Sequence, residues 1–172
     1  MEILYLFQSF PGFYLNPLDD CLRVYINIKI NQSQMGGTEV DMEEIKVKTS
    51  RQIEMIDITQ EVNQRIKKTG IREGICLIYC SHTTAGLTIN ENADPNVVRD
   101  ILNGLDRMVP EDRPYLHGEG NSPAHIKSSI VGCSQTVIIS SGRLSLGTWQ
   151  SVFFCEFDGP RSRQVWLQIV AG

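Results

Sequence analysis

The sequence predicts an α+β domain, a mostly antiparallel sheet with helices packed on it. Three stretches repeat apolar residues at helical spacing and carry capping residues at their ends. Other short stretches have strand length and strand composition, and three of them close the chain in succession. Strands and helices that mix in this way, without a regular βαβ alternation, point to α+β rather than a parallel sheet.

The elements follow in order from residue 42. EEIKVKTS and RQIEMIDI predict two strands joined by a polar turn. Period two puts Ile53, Met55 and Asp57 on one face and Glu54, Ile56 and Ile58 on the other. A helix follows, with Asp57 or Thr59 able to accept from its free N–H groups. Ile58, Val62 and Ile66 form its apolar stripe, Lys67 and Lys68 suit its negative end, and Gly70 suits a left-handed cap. GICLIYCSH is continuous and apolar, the composition of a central strand. It runs into HTTAGLTINENADP. Asp94 as N-cap and Pro95 in the first turn announce the second helix. Val97, Val98, Ile101, Leu102, Leu105 and Met108 are its expected buried stripe, with Pro110 past its end. After the loop EDRPYLHGEGNSP, Ser122 is expected to cap a third helix that turns Ile126 and Ile130 inward and stops at Gly132. QTVIISSG, SVFFCEFD and RQVWLQIVAG complete the sheet, connected by GRLSLGTWQ and DGPRSR.

The chain has 172 residues, 41% hydrophobic and 21% charged, the balance of one globular domain with a tail. Residues 42–172 are the expected domain and residues 1–41 an N-terminal extension. The extension holds RVYINIKI, which can form a strand, and then the linker-like NQSQMGGTE. Met42 opens the fluent domain, so the preceding segment reads either as a native arm or as upstream sequence translated in frame. No apolar run reaches the length of a membrane span, and the first residues lack the basic start of a signal peptide. A net charge of -4 argues against a nucleic-acid partner. The five cysteines include no CxxC pair and are expected to be buried free thiols, which suits the cytoplasm.

Chemistry is expected where polar groups gather in loops. His82 follows a central strand, His117 lies in a Gly-rich loop and His125 in the first turn of a helix. Loops on a rigid sheet concentrate binding groups. Three imidazoles can hold a divalent metal, zinc above all, with water in the fourth position, although no HExxH or HxH spacing marks them. Unrelated, hydrogen-bonded histidines are the plainer alternative. Glu119 stands two residues from His117 and can orient its ring or act as a base. Asp94 is better explained as a helix cap, and Glu111 and Asp112 as a solvated turn. Thr83, Thr84, Asn121, Gly147, Thr148 and Trp149 add donors and a stacking face, and Arg143 or Arg161 can contact an anion. Ser81 and His82 are not a dyad, because strand neighbours point to opposite faces.

Three long motifs in register carry a resemblance: SHTTAGLTINENADP, PYLHGEGNSPAHIKSSIVG and GRLSLGTWQSVFFCEFDGPRSR. They resemble the YjbQ-like family, whose members are described as secondary thiamine-phosphate synthases. The likeness spans about residues 42–172. It implies the YjbQ-like fold, a homotrimer, and a pocket that includes His82, Thr83, Thr84, Glu91, Asn92, His117, Glu119, Asn121, His125, Gly147, Thr148 and Trp149. Ser122 and Pro123 depart from the family's usual filler and both suit a helix start. The implied activity is a weak coupling of hydroxymethylpyrimidine diphosphate with thiazole phosphate. His82, His117, Glu119 and His125 would carry it, with zinc or magnesium as a possible ion on the three histidines. A metal-assisted hydrolase and a non-catalytic binder of a phosphorylated metabolite are the alternative expectations.

Overall fold

The computed structural model describes residues 42–172. RVYINIKI and Cys21 lie outside them. The order is β1 (Met42–Lys48), β2 (Glu54–Asp57), α1 (Thr59–Thr69), β3 (Gly74–Cys80), β4 (Ala85–Glu91), α2 (Pro95–Met108), α3 (Ser122–Val131), β5 (Ser134–Ser140), β6 (Arg143–Leu144), β7 (Gln150–Glu156) and β8 (Ser162–Ala171). All strand pairs are antiparallel and form two sheets, β1-β8-β3-β5-β6 and β2-β7-β4. The α+β class and its antiparallel sheets are therefore as the sequence predicts.

Two cores separate three layers. The first lies between the sheets. Cys76, Ile78, Val165 and Leu167 of the larger sheet meet Leu87, Val152 and Phe154 of the smaller one, with Ile58, Val62 and Ile66 of α1 plugged into the same core. The second lies on the far face of the smaller sheet, where Phe153, Cys155 and Phe157 pack on Leu105 of α2 and Ala124 of α3. β7 is thus buried on both faces, which is why VFFCEF reads as a continuous run rather than an alternation. β2 serves both cores by period two: Ile53 and Met55 pack in the second, Ile56 in the first.

Local signals set the helix ends. The Asp94 carboxylate accepts from the Asn96 N–H at 2.8 Å, with Pro95 opening α2. Asp57 accepts from the Thr59 N–H at 2.8 Å, and Gly70 closes α1 at φ 73°.

Several expectations are corrected. HTTAGLTINEN holds a strand that the pattern had not assigned: residues 85–91 form β4, paired along its length with β7. Leu87, Ile89 and their neighbours carry too few large apolar groups to announce a strand alone. GRLSLGTWQ contains the short β6. Met108 is exposed and Val109 takes the buried place at the end of α2. Ile126 and Ile130 face outward, while Pro123, Ala124, Lys127 and Ser128 face the core. Small residues prevail on this face because α3 runs close to the sheet: a Cβ added to Gly86 of β4 would come within 2.6 Å of the Gly132 carbonyl oxygen. Ser122 is the first helical residue, and Asn121 takes the cap position without a side-chain cap bond. Cys76, Cys80 and Cys155 are buried free thiols, but Cys133 is exposed. β3 is central, yet only one face is covered; Ile75, Leu77 and Tyr79 point outward.

Candidate functional site

Two of the three expected histidines share one cavity. His82 hangs just beyond β3, and His125 sits on the first turn of α3. With Thr83, Ser128, Ser129 and Cys133 they help line a space of about 460 Å³. Among the described residues, no carboxylate lines it. His125 also borders an adjoining cavity of about 300 Å³ with His117, Tyr115 and Ser122. The rings of His117 and His125 meet edge to face, with centroids 5.4 Å apart. Glu119 approaches His117, Oε2 to Nε2, at 3.7 Å on the exposed rim. The Ser129 hydroxyl donates to the His125 carbonyl at 2.9 Å and the Ser128 hydroxyl to the Thr83 carbonyl at 2.5 Å, which ties the turn that carries the ring to the segment after His82.

His82 is the most constrained of the three. Its Nε2 accepts from the Gln164 N–H at 2.9 Å, so the neutral ring carries its proton on Nδ1. Burial pushes its pKa below the ordinary imidazole value, and the nearby Arg163 charge pushes the same way. The buried Glu156 charge opposes the shift and does not overcome it.

Beneath His82 lies an ion pair that the motifs had not singled out. Glu156 is fully buried and receives Arg163 in a fork: Nε to Oε2 at 2.7 Å and Nη2 to Oε1 at 2.6 Å. The Thr49 hydroxyl and the N–H groups of Phe157 and Asp158 also donate to it. Thr84 belongs here: it is buried, and its hydroxyl accepts from Arg163 Nη2 at 2.9 Å. Thr83, its neighbour, faces the cavity instead. The available signal was one acidic residue inside the otherwise apolar VFFCEF, with Arg163 on the next strand. Lys127 is a second buried charge, paired with Asp106 at 2.5 Å.

The remaining expected residues stand elsewhere. Glu91, Gly147, Thr148 and Trp149 line a separate cavity of about 470 Å³. Glu91 ends β4, whereas Thr83 precedes its start. A strand of this length spans roughly 20 Å, so one chain does not bring the two groups together. Asn92 is engaged by Asp57 at 2.8 Å. Asn121 donates to Asp158 at 3.1 Å, and its Oδ1 is buried without a partner among the described residues. Arg161 is held by Asp158, and Arg143 lines a further cavity beside Ser140 and Ser145.

The donor set does not fit a three-histidine metal. The Nε2 lone pair of His82 is already an acceptor, and no group of three or more His, Cys, Asp or Glu residues converges among the described residues.

The family model described as UPF0047 protein YjbQ-like matches residues 43–172. The chain belongs to the YjbQ family. UPF0047 protein YugU of Bacillus subtilis is 54% identical over 127 residues, covering 73% of this chain and 96% of its own. UPF0047 protein MJ1081 of Methanocaldococcus jannaschii is 52% identical over 125 residues, covering 73% and 91%. A crystal structure of a YjbQ/UPF0047 protein from Clostridium acetobutylicum matches with a TM-score of 0.73 at 52% identity, covering 74% of this chain and 99% of that one. A YbjQ-like protein from Sulfolobus solfataricus matches with a TM-score of 0.74 at 35% identity, covering 78% and 99%. The YjbQ fold is therefore shared at both high and moderate identity. Among the described residues, no helix is long and apolar enough to cross a membrane.

Proposed function

We propose that this YjbQ-family domain is a small-molecule transferase that couples a hydroxymethylpyrimidine diphosphate with a thiazole phosphate. The observation that carries the reading is the cavity shared by His82 and His125, with His117 bordering the adjoining one and no carboxylate among the described residues of its wall. Such a wall suits a ligand rich in phosphate oxygens, since imidazole and hydroxyl groups line it and Glu119 approaches His117 only on the exposed rim. Volumes of this order are typical of small-molecule sites.

In the proposed step the thiazole nitrogen attacks the pyrimidine methylene carbon. The carbon–oxygen bond to the diphosphate breaks, and pyrophosphate leaves with the bonding electrons. Negative charge grows on the departing oxygens, where the ring N–H groups of His117 and His125 donate. Glu119 orients His117 from the rim. His82 offers Nδ1–H, and Thr83 completes the wall. Magnesium enters this scheme with the diphosphate, as part of the substrate. Free thiols suit a reducing compartment, so the proposed setting is the cytoplasm.

The proposed assembly is a homotrimer. The outward face of the larger sheet supports self-association, because Ile75, Leu77, Tyr79, Ile138 and Val170 are exposed there together. Sedimentation that gives a monomer mass across micromolar concentrations would remove this part.

The activity test uses pure protein with both substrates and mass detection of thiamine phosphate and pyrophosphate. Stoichiometric appearance of both products, lost in His125→Ala, supports the reading. No product, with the fold intact, rejects it.

A further inference from the structure

Cys80 and Cys133 are far apart in sequence and adjacent in the sheet. The β3–β5 register runs Gly74 with Ile139 to Tyr79 with Ser134, so its next step sets Cys80 opposite Cys133. The Cys80 N–H donates to the Cys133 carbonyl at 2.8 Å, which continues the ladder through that pair. Directly opposed residues of this kind have Cα atoms about 5.5 Å apart, inside the range a disulfide bridges. Side chains of such a pair stand on the same face. Both residues line the His82–His125 cavity. Cys133 is exposed and Cys80 is buried. Among the described residues, neither is bonded to another cysteine.

We propose that Cys80 and Cys133 form a reversible disulfide at the wall of the histidine cavity, made by a peroxide oxidant and opened by thiols. The exposed Cys133 reacts first. Its sulfur attacks one peroxide oxygen, giving a sulfenic acid and one water. The Cys80 sulfur then displaces the hydroxyl as a second water, and the sulfur–sulfur bond forms. Two thiols lose two electrons and two protons, and one peroxide becomes two waters. Burial raises the pKa of the Cys80 thiol, which fits the resolving role rather than the first attack. His82 lies two residues beyond Cys80, and α3, which carries His125, leads into Cys133. The bond therefore ties together the two segments that present the cavity's histidines. This inference stands on the strand register and does not depend on the reaction proposed above.

The experiment treats the full chain with hydrogen peroxide, blocks the remaining thiols with iodoacetamide, and maps the peptides by mass spectrometry. The expected product is a Cys80–Cys133 linked pair, lighter by two hydrogens and restored by dithiothreitol. Iodoacetamide labelling of Cys133 should be lost after oxidation and return with dithiothreitol. Cys133→Ser, a change at an exposed position, should leave Cys80 as a free thiol under the same treatment. Cys21→Ser should leave the link intact. The proposal is overturned if Cys133 ends as a sulfinic acid or pairs with Cys21 while Cys80 stays reduced. It is equally overturned if both thiols survive oxidant that converts exposed methionines to sulfoxide.

Discussion

Arg163→Met should cost the domain about 3–5 kcal/mol, the range for breaking a buried ion pair from one side. The arginine is 7% exposed and Glu156 is 0% exposed, so the stranded carboxylate has no route to water. It keeps three weaker supports, the Thr49 hydroxyl at 3.2 Å and the N–H groups of Phe157 and Asp158 at 3.0 and 2.9 Å. It loses both short guanidinium bonds. Thr84 loses its donor as well. Against a net stability of roughly 5–15 kcal/mol this is a large fraction. For a domain of this size it corresponds to a fall in Tm of about 10–15 °C. Urea and thermal unfolding measure it. The Arg163→Met, Glu156→Leu double variant should recover much of the loss, because an apolar replacement strands no charge. A loss under about 1 kcal/mol in the single variant, the size of a surface change, would refute the assignment of a buried pair.

Three further outcomes follow from the same contacts. His82 should titrate below the ordinary imidazole value of 6.5, since burial and then Arg163 lower it. Its contribution to stability is therefore full above pH 6.5 and is lost as the pH falls through the folded-state value, because the unfolded chain takes the proton first. Imidazole NMR checks both points, and the His82 pKa should rise in Arg163→Met. Gly86→Ala should destabilise by about 1–3 kcal/mol, as its Cβ would meet the Gly132 carbonyl oxygen at 2.6 Å and the Val131 side chain at 3.1 Å; equal unfolding midpoints would contradict this. Asp106→Asn should be worse than Lys127→Met by chemical denaturation. The first strands an ammonium on a side chain that is 1% exposed, while the second leaves a carboxylate that is 51% exposed.

What the sequence disclosed follows the range of the interactions. The start of α2 was legible because Asp94, Pro95 and Asn96 settle it within three residues. The stripe of α1 was legible because Ile58, Val62 and Ile66 all meet one core. The inward face of α3 was not. Pattern reading puts the isoleucines inside, but the close approach at Gly86 and Gly132 admits only small groups, and Lys127 reaches its own partner on α2. β4 was missed because its strand character comes from pairing with β7 rather than from composition. In the site, the loop histidines stood out by type and place. The grouping of His82, His117 and His125 through two adjoining cavities required the fold, and so did the separation of Glu91 and Trp149 from them. Glu156 and Arg163 were hidden because a charge in a strand usually faces water, and only the fold brings the pair together beneath His82.

The most direct test of the histidine cavity is an NMR titration with inorganic pyrophosphate that follows the imidazole resonances of His82, His117 and His125 and the indole resonance of Trp149. Saturable shifts of the His125 and His117 resonances, a smaller response at His82, and loss of binding in His125→Ala are expected. Shifts confined to Trp149, with all three imidazoles unmoved at saturation, would place anion binding at the far end of β4 and contradict it.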